Sequence, residues 1–113
     1  MTDLSESIGD VATAVVKGLA GVTVVADSGT TVWKRQDAAF AALEGNALEV
    51  RLAPAVARAA LRTPDTESSR RGPDWLRFSP VLLDQYARDR ATAWIESAWR
   101  NAGGEDRGPT ASD

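Results

Sequence analysis

The sequence predicts an α+β domain, an antiparallel sheet of about five strands with helices packed mainly on one face. Three observations carry this. Apolar residues recur at helical spacing near both ends of the chain. β-Branched and alternating runs fill the middle. Breaks bearing Gly or Asn separate those runs at hairpin spacing. With 113 residues the chain forms one domain, large enough to bury a core without staples.

Residues 3 to 19 read as the first helix, because Leu4, Ile8, Val11, Val15 and Leu19 recur every three or four positions. Asp3 followed by Glu6 resembles a capping box, and Gly18 and Gly21 suit a helix end. In GVTVVADSGTTVW the period changes. Val22, Val24, Thr31 and Val32 are β-branched, and a turn at Asp27 to Gly29 divides strands near 22–26 and 30–34. The segment 38–43 has helix-forming residues but is short for a helix and normal for a strand. The Gly45-Asn46 turn joins it to ALEVRL, where Leu48, Val50 and Leu52 alternate with Glu49 and Arg51. That strand needs a partner, so 38–43 is read as a strand too.

Pro54 suits the first turn of a short helix running through AVARAALR and ending before Pro64. Residues 63–74 read as a polar loop. WLRFSP follows as the fifth strand, with Trp75 and Arg77 facing one way and Leu76 and Phe78 the other. Asp84 caps a last helix over 85–102, with Ala87, Ala91, Trp94, Ile95, Ala98 and Ala102 as its apolar stripe. The predicted order is α-β-β-β-β-α-β-α. The domain spans 1–102, and the polar tail 103–113 is expected to be disordered.

Several of these features resemble the MmcQ/YjbR-like family. They are the strand 39–43, the Gly45-Asn46 turn, the strand 47–52 and the helix near Pro54. The Thr63-Pro64 loop, the approach from Gly72 to Trp75 and a final helix ending in an aromatic complete the pattern. Trp75-Leu76-Arg77-Phe78 looks like that family's Trp-led strand, and Asp89 to Trp94 with Ala98-Trp99-Arg100 like its closing helix. The similarity covers roughly residues 17 to 102. It implies a double-wing α/β arrangement suggestive of DNA binding, in a family whose functions are mostly unassigned.

Composition narrows the chemistry. The chain has no Cys and no His, which removes the thiol nucleophile, the Cys metal site, the commonest general base and the commonest transition-metal ligand. No catalytic motif, cofactor or metal site is read from it. Asp65, Glu67 and Asp74 lie close enough in sequence to hold a hard cation, but an exposed acidic loop balanced by Arg70 and Arg71 is the preferred reading. Lys plus Arg is 13 against 16 Asp plus Glu, a net charge of −3, which does not suit a dedicated DNA coat. The acidic start MTDLSESIGD lacks the basic region of a signal peptide, and no apolar run approaches the ~20 residues of a membrane span. The expectation is a cytoplasmic protein with no membrane partner, as a monomer or weak homodimer.

A binding role is expected. Arg70, Arg71 and Arg77, with Lys34, Arg35 and Arg51, form a candidate basic patch, and Trp33 and Trp75 are placed to stack on a base or an apolar ligand. This reading makes the chain a binder of DNA or another anion. The competing reading of the same residues is a solvated face pairing with Glu49, Asp65, Glu67 and Asp74. A protein-interaction or chaperone-like adaptor is the alternative function, and a small-ligand pocket between the sheet and the last helix is a weaker one. Interleaved charge signs on the folded surface would favour the adaptor; one contiguous positive face would favour the anion. Packing is expected for Trp94, Trp99 and Trp75, and least for Trp33.

Overall fold

The computed structural model describes residues 7–103. The chain runs through α1 (Ile8–Lys17), β1 (Val22–Asp27), β2 (Thr30–Arg35), β3 (Ala38–Glu44) and β4 (Ala47–Arg51). It continues through α2 (Pro54–Ala60), β5 (Thr66–Ser68), β6 (Trp75–Phe78) and α3 (Gln85–Ala102). The six strands form one sheet in the order β1-β2-β3-β4-β6-β5, with every neighbouring pair antiparallel. The architecture is the expected α+β one with one strand more. β5 lies inside the segment read as a loop. It has only three residues, all polar and two of them exposed, and it is held by β6 through the register Thr66↔Phe78, Glu67↔Arg77 and Ser68↔Leu76.

Local chemistry fixes the boundaries. Ser7 is extended and caps α1: its Oγ accepts from the Asp10 amide at 3.1 Å, while Asp10 Oδ2 accepts from the Ser7 amide at 3.0 Å. The capping box therefore sits later than expected and the helix begins at Ile8; the Asp3–Glu6 pair lies outside the described residues, as does most of the tail. α3 begins where the sequence placed it, with Asp84 Oδ1 accepting from the Ala87 amide at 2.9 Å. Positive φ values at Ser28 and Gly29, and at Gln36 and Asp37, close the β1–β2 and β2–β3 hairpins, while Gly45 (φ 59°) opens the β3–β4 turn.

Alternation separates the two faces of the sheet. Trp33, Ala41, Val50 and Leu76 form one cross-strand row, and Leu48 pairs with Phe78 on the same face. These residues pack with Ile8, Val11 and Val16 of α1 and with Ala91, Ile95 and Ala98 of α3. The alanines of α3 let its backbone lie close to β3 and β4, and Ile95 fills the space between them. The ladder shifts register between Trp33 and Lys34, so Phe40 has no partner of its own on β2, and it is completely buried. Each large side chain removed from water in this way stabilises the fold by about 1.5–3 kcal/mol. Phe40, Leu48, Leu52, Leu76 and Ile95 are the largest fully buried ones.

Among the described residues no helix packs over the opposite face of the sheet. No helix of these residues is long and apolar enough to cross a membrane.

Candidate functional site

The open face of the sheet carries a charged cluster centred on Glu49. β4 presents Glu49 on that face, in a row with Arg77 of β6 and Glu67 of β5. The segment after β5 folds back over the row. The Ser69 amide donates to the Trp75 carbonyl at 3.0 Å, which brings Ser69 and Arg71 above Glu49. Ser69 Oγ donates to Glu49 Oε2 at 2.7 Å, and Arg71 Nε donates to Glu49 Oε1 at 2.7 Å. The Ser69 hydroxyl also accepts from the Arg71 amide at 3.1 Å, which fixes that loop. Arg77 Nη1 donates to Glu44 Oε1 at 3.2 Å and to Glu49 Oε2 at 3.4 Å, and its Nε lies 3.6 Å from Glu67 Oε2.

Glu49 is only 4% exposed, so its charge has been taken largely out of water. Burial pushes its carboxyl upward. The hydrogen bonds from Ser69 and Arg71, together with the charges of Arg71 and Arg77, outweigh that push and hold it below the ordinary carboxylate value. Arg77 is raised, first by its hydrogen bond to Glu44 and then by the Glu49 charge, against the opposing cost of desolvation. A carboxylate held ionised in this way has no proton to give near neutral pH, and its lowered pKa makes it a weak base. The arrangement suits an ionic clasp, not proton transfer.

Above the clasp lies an open cavity of about 590 Å³, lined by Glu44, Glu49, Glu67, Ser68, Arg70, Arg71 and Arg77. Its walls carry three carboxylates and three guanidinium groups, so the two signs interleave. Arg71 also lies over the Trp75 ring, 5.6 Å from its centroid.

The structure divides the residues read from the sequence as a binding patch. Arg70, Arg71, Trp75 and Arg77 gather at this cavity or its rim. Lys34 lies two strands from β4, on β2. Arg35 faces the helices: its guanidinium stacks 3.8 Å from the Trp99 ring centroid, and Nη1 donates to the Trp99 carbonyl at 2.9 Å. That contact ties β2 to the C-terminal end of α3, where a cation is favoured.

Trp33, the tryptophan least expected to pack, is 3% exposed on the helix-facing side and belongs to the core. Its ring is therefore not presented for stacking. The small Ala41 across the ladder leaves room for it. Trp94 is half-buried and meets Phe78 edge-on at 5.0 Å. Trp99 donates its indole N–H to the Ala20 carbonyl at 2.9 Å.

Sequence reasoning missed Glu49 as the centre of the cluster. It appeared only as a polar position in an alternating strand and as one of four possible partners for the arginines. The alternation marked Glu49 as a residue of the polar face, but only the register of β4 against β6 sets it beside Arg77. Two of those four, Glu49 and Glu67, do pair with the arginines. Asp65 instead accepts from the Val81 amide at 3.3 Å. Among the described residues no group of three or more acidic side chains is arranged to hold a metal ion. Between the sheet and α3 lie a cavity of about 30 Å³, lined by Phe40, Arg51 and Asn101 among others, and a wider one of about 310 Å³, lined by Phe78 of β6, by Tyr86, Ala87 and Arg90 of α3 and by the loop residues Pro64, Pro80 and Leu82.

Comparison with known protein families, with curated proteins and with solved structures finds no match to this chain.

Proposed function

We propose that this chain is a non-catalytic interaction domain that binds a protein partner through the free edge of its sheet. The observation that carries this reading is β1. It is a six-residue edge strand, VTVVAD, with Val24 55% and Val25 43% exposed. Among the described residues no strand pairs with its outer side, and such an edge offers backbone donors and acceptors flanked by apolar side chains, the surface used in strand addition. The charged cluster supports the same choice. Arg71 and Arg77 are engaged by Glu44, Glu49 and Glu67, so the open face is not a contiguous positive surface for phosphate.

The test is photo-crosslinking in cells expressing the chain, with p-benzoylphenylalanine replacing Val25 or, as a control, the exposed Arg62. Protein adducts from position 25 and none from position 62 are expected. No adduct at position 25 would sink the reading. Titration of labelled protein with a short DNA duplex at low salt gives the second arm. Amide shifts confined to residues 70–77 and reversed by salt would replace the protein partner with nucleic acid.

A further inference from the structure

The two edges of the sheet are built differently. β5 is three residues long, carries exposed Glu67 and Ser68, and follows Pro64 and the positive-φ Asp65. Short length, charge and a nearby proline are the usual devices that stop an edge from pairing. β1 is neither short nor near a proline, and its charge is confined to one end. It is twice as long, contains no Pro, Lys or Arg, and places Val22, Thr23, Val24 and Val25 in succession. Its one charge, Asp27, stands at its C-terminal end.

Resting on the interaction reading above, we infer that the partner of β1 is β1 of a second copy, paired antiparallel about a two-fold axis at Val25. The pattern of the strand selects this arrangement. Val24 pairs with Trp33, so Val22, Val24 and Ala26 share the helix side, whereas Thr23, Val25 and Asp27 share the open side. A two-fold axis perpendicular to the sheet keeps each face on its own side and makes the contact isologous. Centred on Val25, it sets Val25 against its own copy, Val24 against Ala26, and Thr23 against Asp27. β-Branched and apolar residues then meet across the ladder on both faces.

Charge favours the same register. Thr23 pairs with Lys34 on β2, so Asp27 of the second copy, Thr23 and Lys34 fall in one row across three strands. A parallel pairing would bring the two Asp27 carboxylates to the same end. Centring on Val24 would move Asp27 opposite Gly21, beyond the end of the strand and away from Lys34. The product is a continuous sheet whose outer edges are the two blunted β5 strands.

Sedimentation velocity of the purified full chain tests this, from about 5 µM to about 1 mM. A concentration-dependent dimer is expected. Val25→Lys puts two ammonium groups at the axis and should weaken self-association by roughly tenfold or more, with an unchanged circular dichroism spectrum. Val25→Cys introduces the chain's sole thiol, and mild oxidation should convert it to a disulfide-linked dimer, because directly opposed strand residues fall within disulfide reach. A monomer at every concentration, or a dimer that Val25→Lys leaves intact, would overturn the inference. Crosslinks from position 25 to a different protein, with no self-adduct, would overturn it while leaving the interaction reading standing. No crosslink of either kind would remove both.

Discussion

Arg71 Nε donates to Glu49 Oε1 across 2.7 Å, joining a loop residue to a central strand 22 positions earlier in the chain. The contact turns a surface loop into a cover for a buried carboxylate. Removing the charge from one side leaves the arginines without their shared anion. Glu49→Gln should therefore destabilise the fold by about 1–2 kcal/mol, a value kept modest because Arg71 and Arg77 remain partly solvated. Urea unfolding measures it, and a midpoint equal to wild type would show that the clasp contributes nothing to stability.

The acid dependence follows from the direction of the Glu49 shift. Its folded pKa lies below the ordinary value of 4.5, so the folded state binds the proton less readily than the unfolded chain does. The stability it contributes is complete above that ordinary value and is lost as pH falls through the lowered folded one. Unfolding free energies of wild type and Glu49→Gln should differ by a constant near neutral pH and converge in acid, below about pH 4.5. A gap that persists unchanged to pH 2.5 (about two units below the ordinary value) would place the effect in packing and not in charge.

Trp33 offers a packing test. Its ring is buried against Ala41 and the helices, so Trp33→Ala should cost about 3–5 kcal/mol, near the upper range for a single core truncation. Trp33→Phe keeps a ring and should cost about 1–2 kcal/mol. Chemical denaturation separates the two, and a loss below about 1 kcal/mol for the alanine variant would return Trp33 to the surface.

The β2–β3 turn carries removable strain. Gln36 and Asp37 both take positive φ, at 52° and 68°, a region that favours Gly, Asn and Asp and disfavours Gln. The double change Gln36→Asn and Asp37→Gly should raise stability by about 1 kcal/mol, seen as a higher thermal midpoint. A lower midpoint would mean that one of these side chains makes a contact worth more than the strain.

Much of this architecture was legible in the sequence, and the failures share one cause. Helical spacing located α3, alternation located β4, β-branched runs about a Gly-bearing turn located β1 and β2, and β3 followed as the partner that β4 needs. β5 is too short for any period to show, and it exists through its pairing with β6. Packing was least firmly read for Trp33 because Thr31, Val32 and Trp33 give no clear alternation; the burying face is set by the partner strand, with Ala41 opposite. In the charged cluster, the arginines were visible as a run. The anion that gathers them lies on another strand and became visible only through the register that places Glu49 beside Arg77.

The exposure of β1 also sets a gradient of local stability across the sheet. β3 and β4 are clamped by neighbouring strands on both sides and by α3 above, whereas among the described residues β1 pairs with β2 alone and only its Val22 packs against the core. Opening β1 uncovers little apolar surface, so its amides should exchange with solvent through local fraying, while those of Leu48 and Val50 wait for global unfolding. The longer of the two edge strands is thus the one whose order a partner would most increase. Exchange at Val22–Asp27 that slows as protein concentration rises would report that coupling directly.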